Sequence, residues 1–467
     1  MMGCVIRTVE RRRRTKLLNG AFVGAMLLTV GIVSASGQTP AESAAQESSV
    51  PAKPITITLE EAIRRAEINE PSYAASSAES KVSSLDRSIA RAGLLPSVEY
   101  HNQAQYTQSQ SLAGQGTGTQ SSSPRFIANN AVREYTSQAL VNETLGLGQL
   151  AGVRRADAEA ARSVAELEIA QRGLVVAVTG LFSESIAADN KLIVAERAHT
   201  EAADFTGLTN KRESAREAAH ADAVKAQLVE QQRQRDWMDA KVAAEKARLE
   251  LSVLLFPDPR TPFTLVRQDR IAELPSRSEV EQAAARDNPE LKSALATLRV
   301  SDADVLAARA TYLPDLGLNV TYGIDAPQFA VNGPDKVHNL GYSASVTLDI
   351  PVWNWLATPH KVKQDEIRRE AVRVALTATQ RRLVARLDEA YSEAATAREQ
   401  LASLDASVAT ATESLRLTKM RYTGGEANVL EVVDAQSAYV SAENAREDGW
   451  VRYEAARADL QTLTGTM

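Results

Sequence analysis

The stretches DLGLNVTYGI (residues 315–324) and LGYSASVTLDI (residues 340–350) alternate apolar and polar residues along their whole length. Successive side chains of a β-strand point to opposite faces, so a period of two predicts two strands with one apolar and one polar face each. We place these strands at about residues 313–324 and 340–350. The segment 325–339 between them is polar, which predicts a loop that joins them into a hairpin.

A second, noisier pair of strands is predicted in the first half of the chain, at about residues 95–107 and 132–145. Here Val98, Tyr100 and other apolar residues alternate with polar ones. The Gly- and Ser-rich segment 108–130 links the two strands. Strands of about ten residues with one apolar face have the length and period of a transmembrane β-barrel.

Four strands are too few to close a barrel, because bacterial barrels begin at about eight strands. An open sheet in lipid would leave unpaired backbone groups at its edges, each costing several kcal/mol. The strands therefore predict an oligomer in which other copies of the chain complete the barrel.

Long helices are predicted on either side of the strands. Proline is absent between Pro124 and Pro257 and again after Pro359, and both stretches are rich in Ala, Leu, Glu, Arg and Gln. Between residues 384 and 415 apolar residues recur every three or four positions, apart from a gap at Arg398, which is typical of a coiled-coil seam. Gly424–Gly425 interrupts the second stretch and predicts an antiparallel hairpin with arms of about 45–60 residues.

The two halves of the chain resemble each other. Four residues of the first half recur 218 positions later: Asn69, Pro71, Leu95 and Pro96 as Asp287, Pro289, Leu313 and Pro314. Beyond the strands the displacement is 209 positions, so that Asp222, for example, matches Glu431. We predict a duplicated unit of helix, two strands and a long helical hairpin, over residues 56–255 and 278–467, with a Pro-rich linker at 256–277.

The N-terminus has the features of an export signal. The basic run Arg11–Arg14 precedes an apolar stretch, Leu17–Val33, and small residues follow it. This order is typical of a secretory signal peptide, which we place at residues 1–37. A membrane anchor is the alternative, although the apolar stretch is short for a span. Residues 38–55 are Ala-, Ser-, Glu- and Pro-rich and predict a flexible leader.

Composition and motifs argue against several classes of protein. The chain is 44% hydrophobic and 24% charged, which is too polar for a bundle of membrane helices, and its net charge of −6 is unfavourable for nucleic-acid binding. No two of its five histidines have the spacing of metal ligands. The histidines are His101, His199, His220, His338 and His360. No phosphate loop or nucleophile elbow is present. We expect no enzymatic activity, no cofactor and no metal site.

Four segments resemble the outer membrane efflux protein family, the TolC-like outer membrane factors. They are LEEAIRRAEINEP (59–71), ARAGLLPSVEY (90–100), AARATYLPDLGL (307–318) and RYTGGEANVLEVVDAQ (421–436). The resemblance covers residues 56 to 465. It implies a mainly α-helical fold with a small β part, in which a homotrimer forms a 12-stranded outer-membrane barrel continued by a helical tunnel in the periplasm.

The same resemblance implies a function. Proteins of this family are passive exit ducts of tripartite efflux pumps or type I secretion systems for small molecules or ions. Their partners would be a periplasmic membrane-fusion adaptor, an inner-membrane transporter and outer-membrane lipid. A periplasmic coiled-coil adaptor or structural protein is the alternative, since it would share the signal peptide and the hairpins, but it would not need the four strands.

The resemblance also implies roles for residues at the hairpin tips. The adaptor is expected to dock at Tyr422, Thr423, Gly424 and Gly425. A pore constriction is expected at Glu431, Asp434 and Asp222. Three copies of each carboxylate around one axis would favour cations over anions. From the residues alone, Glu431 and Asp434 could equally be solvated carboxylates on a helix face.

Two features depart from the family pattern at these tips. Glu426 stands where some relatives have a basic residue that latches the closed entrance. The first hairpin tip, Lys211–Asp222, contains no glycine, which leaves its turn and its docking role open.

Overall fold

The structure is a computed structural model, described here for residues 55–106, 133–267, 274–333 and 338–465. The predicted signal peptide, the leader as far as residue 54 and the segment 108–130 lie outside the described residues. The described chain is mainly helical.

The first half of the chain contains four helices and three strands among its described residues. They are β1 (Ile55–Ile57), α1 (Leu59–Asn69), α2 (Pro71–Ala92), β2 (Ser97–Tyr106), β3 (Arg133–Leu145), α3 (Leu147–Ser214) and α4 (His220–Leu255). The same succession of elements follows in the described part of the second half. These are β4 (Phe263–Leu265), α5 (Arg277–Asp287), α6 (Pro289–Ala310), β5 (Asp315–Ala326), β6 (Leu340–Asp349), α7 (Ala357–Thr423) and α8 (Val429–Thr464).

Proline and a capping side chain start the helix before each strand pair. Pro71 is the first residue of α2 and Pro289 is the first residue of α6. Proline suits this position because the first N–H groups of a helix have no partner within it. The Asn288 side chain accepts a hydrogen bond of 2.9 Å from the Leu291 N–H, which satisfies one of those groups.

The four long strands form one antiparallel sheet in the order β2-β3-β5-β6. Directly opposite residues share a face, and the register pairs Tyr100 with Ala139 and Tyr322 with Tyr342. One face of the sheet is therefore mainly apolar and the other polar. Along the described residues, β2 and β6 each have a neighbouring strand on one side only.

A small parallel sheet was not predicted. Ile55 of β1 pairs with Phe263 of β4, so the Pro-rich segment predicted as a linker contains a strand. Ile57 and Phe263 are buried in a core that also contains Phe182 of α3 and Trp450 and Tyr453 of α8. This core therefore contains residues from both ends of the chain's first half and from the hairpin of its second half.

The predicted lengths of the hairpin arms were wrong. The arms are unequal, because α3 and α7 have 68 and 67 residues while α4 and α8 have 36 each. Each long helix runs without interruption from the sheet to the hairpin tip. Shorter helices cover it in succession, with α6 and α8 packing along different parts of α7. None of the described helices combines the length and apolarity needed to span a membrane.

The predicted seam of α7 is present in part. Leu387, Ala394 and Leu401 recur every seven residues and are buried. Val384, which was assigned to the same seam, is 62% exposed, and the adjacent Leu383 is buried in its place.

Candidate functional site at the two hairpin tips

The second hairpin tip turns through a glycine with positive φ. Helix α7 ends at Thr423, and Gly425 has a φ of 82°. The Gly425 N–H donates to the Tyr422 carbonyl at 3.1 Å, and the Glu426 N–H donates to the Arg421 carbonyl at 2.8 Å. This is the pair of hydrogen bonds that defines a Schellman motif. Glycine suits the position because it has no Cβ to clash in the left-handed region.

The first tip makes the same turn without glycine. Arg216 has a φ of 66°, and its N–H donates to the Glu213 carbonyl at 2.8 Å. The Glu217 N–H donates to the Arg212 carbonyl, also at 2.8 Å. Arg216 lies 209 positions before Gly425, so an arginine occupies the left-handed position that glycine occupies in the second tip. The displacement between the two halves could have identified this residue in advance.

Glu431 is held by groups of its own hairpin. Its N–H donates to the Asn428 side-chain oxygen at 3.0 Å, and the Asn428 N–H donates to Glu431 Oε1 at 3.3 Å. This reciprocal capping box starts α8. Glu431 Oε2 also forms an ion pair of 3.1 Å with Arg421. The carboxylate is therefore fixed at the tip, where 40% of the side chain is exposed.

The other two predicted constriction residues lack such partners. Asp434 is exposed and lies three residues after Glu431, so both point from one face of α8. Asp222 lies in the first turn of α4. Neither carboxylate makes a hydrogen bond or an ion pair with any other described residue. Their negative charges are thus available to mobile cations.

The predicted docking residues divide into two groups. Thr423, Gly424 and Gly425 are exposed. The Tyr422 side chain is only 5% exposed, because its ring packs on Phe205 of the first hairpin with 5.0 Å between ring centroids. Tyr422 is therefore an internal contact of this chain.

Several residues that hold the two tips together were not predicted. The Tyr422 and Thr209 hydroxyls share a hydrogen bond of 3.2 Å. Arg212 donates to the Tyr422 carbonyl at 2.6 Å, and its guanidinium lies over the Tyr422 ring at 5.0 Å. Lys419 also pairs with Glu201 across the two hairpins at 2.6 Å. Contacts between residues about 210 positions apart leave no local signal in the sequence.

Sequence comparison relates the chain to outer membrane and secretion proteins. Residues 280–466 match the model of the outer membrane efflux protein family. The chain is 27% identical to outer membrane protein OprJ of Pseudomonas aeruginosa over 38% of its length and 36% of the length of OprJ. It is 23% identical to proteases secretion protein PrtF of Dickeya chrysanthemi over 81% of the chain and 82% of PrtF. It is 25% identical to pyoverdine export outer membrane protein OpmQ of Pseudomonas putida over 83% and 81%.

Solved structures share the fold. The outer membrane protein VceC of Vibrio cholerae superposes with a TM-score of 0.73 at 16% identity, covering 87% of this chain and 96% of that one. The Campylobacter jejuni CmeC outer membrane channel gives 0.72 at 15% identity, covering 87% and 85%. The fold and the sequence matches agree with the motifs quoted above. The chain therefore resembles the outer membrane efflux protein family over residues 280–466 and shares the fold of solved outer membrane channels.

Proposed function

We propose that this protein is the outer-membrane exit duct of a tripartite efflux pump or a type I secretion system, and that it exports small molecules or ions passively. The observation that carries the proposal is the four-stranded sheet, which has one apolar face, one polar face and two edges without a partner strand in the described part of the chain. A soluble helical adaptor would have no use for such a sheet. The duct lies in the outer membrane, and its helices lie in the periplasm.

The apolar face of the sheet suits contact with lipid. Exposed apolar side chains on this face include Val98, Tyr100, Val320, Tyr322, Tyr342, Val346 and Leu348. Tyr342 and Val346 are 84% and 70% exposed, which is unfavourable in water and favourable in a bilayer. Trp353 and Trp355, just beyond β6, are also exposed and suit the membrane interface.

Among the described residues, one edge of β2 and one edge of β6 have no partner strand, which supports assembly into an oligomer. Their unpaired backbone groups would each cost several kcal/mol in lipid, so an edge of one copy must pair with an edge of another. Three copies of four strands give the 12-stranded barrel that the family resemblance implies.

Equivalent contacts support the proposal that the two halves are copies of one unit. In the first half Arg91 of α2 pairs with Asp157 of α3 at 3.0 Å. In the second half Arg309 of α6 pairs with Glu366 of α7 at 2.8 Å. These residues are displaced by 218 and 209 positions, as the sequence comparison of the halves requires. We retain units at 56–255 and 278–467, a connecting segment at 256–277 and a signal peptide at 1–37.

The hairpin tips are proposed as the periplasmic entrance. Glu431, Asp434 and Asp222 would form its acidic constriction. An adaptor would contact the exposed turn at Thr423, Gly424 and Gly425, and the buried Tyr422 would support that turn from inside. The names of PrtF and OpmQ refer to protease secretion and to pyoverdine export, so both secretion and efflux partners fit this proposal. No catalysis, cofactor or metal is invoked.

Purification tests the duct. We expect the protein to be extracted from outer membranes only with detergent, to have the mass of three copies and to conduct ions after insertion into a planar bilayer. A water-soluble species that does not conduct would refute the barrel and favour the periplasmic coiled-coil alternative.

A further inference from the structure

The helices that flank the sheet pack in the same order as its strands. Helix α2 packs on α3, α3 packs on α6, and α6 packs on α7. Within one chain, α3 and α6 thus have neighbours on both sides. Helices α2 and α7 lie at the two ends of the row, and each has one side on which no described helix of the row packs.

On the open side of α7, residues are exposed at positions whose equivalents in α3 are buried. Four residues of α3 recur every seven positions and are buried: Ala151, Ala158, Ala165 and Arg172. The residues 209 positions later in α7 are exposed: His360, Ile367, Val374 and Arg381. Ile367 and Val374 are 60% and 61% exposed. Bulky apolar side chains at these positions indicate a face that is covered in the assembled protein.

On the open side of α2, residues are likewise exposed at positions whose equivalents in α6 are buried. In α6, Ala296, Val300 and Ala303 are buried. The residues 218 positions earlier in α2 are Ala78, Val82 and Leu85, and all three are exposed, Val82 by 49% and Leu85 by 62%. Every residue of α2 is at least partly exposed. Each end of the row thus lacks the neighbour that its counterpart has within the chain.

We infer that α7 of one copy packs on α2 of a second copy, as α3 packs on α6 within the chain. We further infer that Arg381 stabilises this junction between the two copies. The inference rests on the proposed oligomeric duct and names the residues that join its subunits. Its strongest support is the role of Arg172, the counterpart of Arg381.

Arg172 connects the ends of two helices from the other half of the chain. It donates from Nη1 to the Thr462 carbonyl at 2.6 Å and from Nη2 to the Asp287 carbonyl at 3.1 Å. These carbonyls lie in the last turns of α8 and α5. Carbonyls at helix C-termini have no partner within the helix and carry partial negative charge, so a buried cation stabilises both ends at once. Glu168 pairs with the same guanidinium.

Arg381 has the same position in α7 but no such partner in its own chain. It makes no hydrogen bond or ion pair with any residue in the described ranges. The residue equivalent to Glu168 is Thr377, so α7 does not provide a carboxylate either. Its guanidinium is therefore free to bind acceptors on another copy.

The expected acceptors in the second copy are the carbonyls of Val253 and Asn69. They correspond to Thr462 and Asp287 and lie in the last turns of α4 and α1. The Val253 carbonyl cannot receive a helical hydrogen bond from the residue four positions on, because that residue is Pro257, which has no N–H. The site is complete only when two copies meet.

The Arg381→Met variant tests the role of Arg381 at the junction. The matched control is Arg382→Met, which changes the adjacent exposed arginine. Methionine keeps much of the apolar stem and removes the charge and the donors. Loss of charged hydrogen bonds at each junction predicts subunit dissociation about tenfold faster or more for Arg381→Met in detergent. The control is expected to dissociate like the wild type. Equal rates for the two variants would overturn the role of Arg381.

Cross-linking tests the junction without relying on stability. Arg155 of α3 forms an ion pair of 3.1 Å with Asp304 of α6. The equivalent positions are Gln364 of α7 and Asp86 of α2, which the proposed junction would bring together from two copies. In a Cys4→Ser background, Gln364→Cys combined with Asp86→Cys and treated with a short bismaleimide should give dimers and trimers on a denaturing gel. Arg155→Cys with Asp304→Cys should cross-link within one chain and remain monomeric.

The outcomes separate this inference from the proposed function. Cross-linked oligomers from the first pair alone support the junction. A conducting trimer in which the first pair does not cross-link would overturn the junction and leave the duct intact. A protein that is monomeric under native extraction would overturn both.

Discussion

At the scale of single residues, the two hairpin tips form the same turn with different residues at the left-handed position, Arg216 in the first tip and Gly425 in the second. Arg216 occupies a left-handed conformation that costs an L-residue about 1–2 kcal/mol. Glycine avoids that cost but loses more backbone entropy on folding. We therefore expect Arg216→Gly to stabilise the protein by about 0.5–1 kcal/mol, measured as a higher midpoint of helix loss on heating in detergent.

The second tip provides the control for that prediction. Gly425→Ala introduces a Cβ at a φ of 82° and should destabilise by about 1 kcal/mol. Gly424→Ala should have little effect, because Gly424 has a φ of −74° and an added Cβ would meet no atom nearer than 3.5 Å. Destabilisation by Arg216→Gly would mean that the arginine side chain contributes more than its backbone strain costs.

A second prediction at this scale concerns a buried carboxyl group in α8. Burial raises the pKa of Glu454 above its ordinary value, although the nearby Arg457 and Arg267 act in the opposite direction. A raised folded pKa means that the neutral form favours folding, so this contribution is complete at low pH and is lost as the pH rises through the folded pKa. Glu454→Gln, which stays neutral, should gain stability relative to the wild type as the pH rises above the ordinary pKa of a glutamate side chain.

Thermal midpoints measured at several pH values check this sign. The difference between Glu454→Gln and the wild type should grow towards neutral pH. A difference that shrinks as the pH rises would mean that the ion pair of 3.3 Å between Arg457 and Glu454 outweighs the cost of burial.

At the scale of elements, the sequence predicted those features that have a long periodic signal. The alternation over residues 315–324 and 340–350 corresponds closely to β5 (Asp315–Ala326) and β6 (Leu340–Asp349). Strands β1 and β4 have three residues each, which is too short for any period to appear. Their pairing depends on a core assembled from distant segments.

The candidate site was also predictable only where the sequence has a local signal. The turn at Gly424–Gly425 follows from its glycines. The burial of Tyr422 does not, because Phe205 and Thr209 reach it from another hairpin. Glycine content also gave no indication that Arg216 forms an equivalent turn, since tertiary packing can hold a residue in a conformation that its own preference opposes.

The second hairpin as an element carries the prediction for the entrance. Glu431→Gln with Asp434→Asn removes two charges from each copy, while glutamine preserves the capping box of α8. If these carboxylates converge on the axis, block by multivalent cations should weaken on the order of tenfold, and single-channel conductance should rise. Titration of the block in planar bilayers measures both.

The control for the entrance is Glu413→Gln, which neutralises an exposed carboxylate of α7 that pairs with Arg416. It should leave block and conductance unchanged. Unchanged block in the double variant would refute the assignment of Glu431 and Asp434 to the constriction while leaving the fold unaffected.

At the scale of the whole molecule, the polar face of the sheet carries charge of one sign. The register places five carboxylates on it, namely Glu99, Glu134, Asp315, Asp325 and Asp349. No lysine or arginine occurs among the described strand residues of this face. Asp315 and Asp349 lie directly opposite each other, which is unfavourable for two like charges unless mobile cations neutralise them.

If this face lines the barrel, the assembled channel must be cation-selective along its membrane segment as well as at its entrance. In a KCl gradient across a planar bilayer, the zero-current potential should make the dilute side positive. Asp325→Asn with Asp349→Asn should reduce that potential while leaving block at the entrance unchanged, and Glu60→Gln on α1 should change neither. The test requires salt at or below about 0.1 M, where the screening length is about 10 Å. A potential that depends only on Glu431 and Asp434 would confine selectivity to the hairpin tips, and a wild-type potential of opposite sign would mean that the polar face does not line the pore.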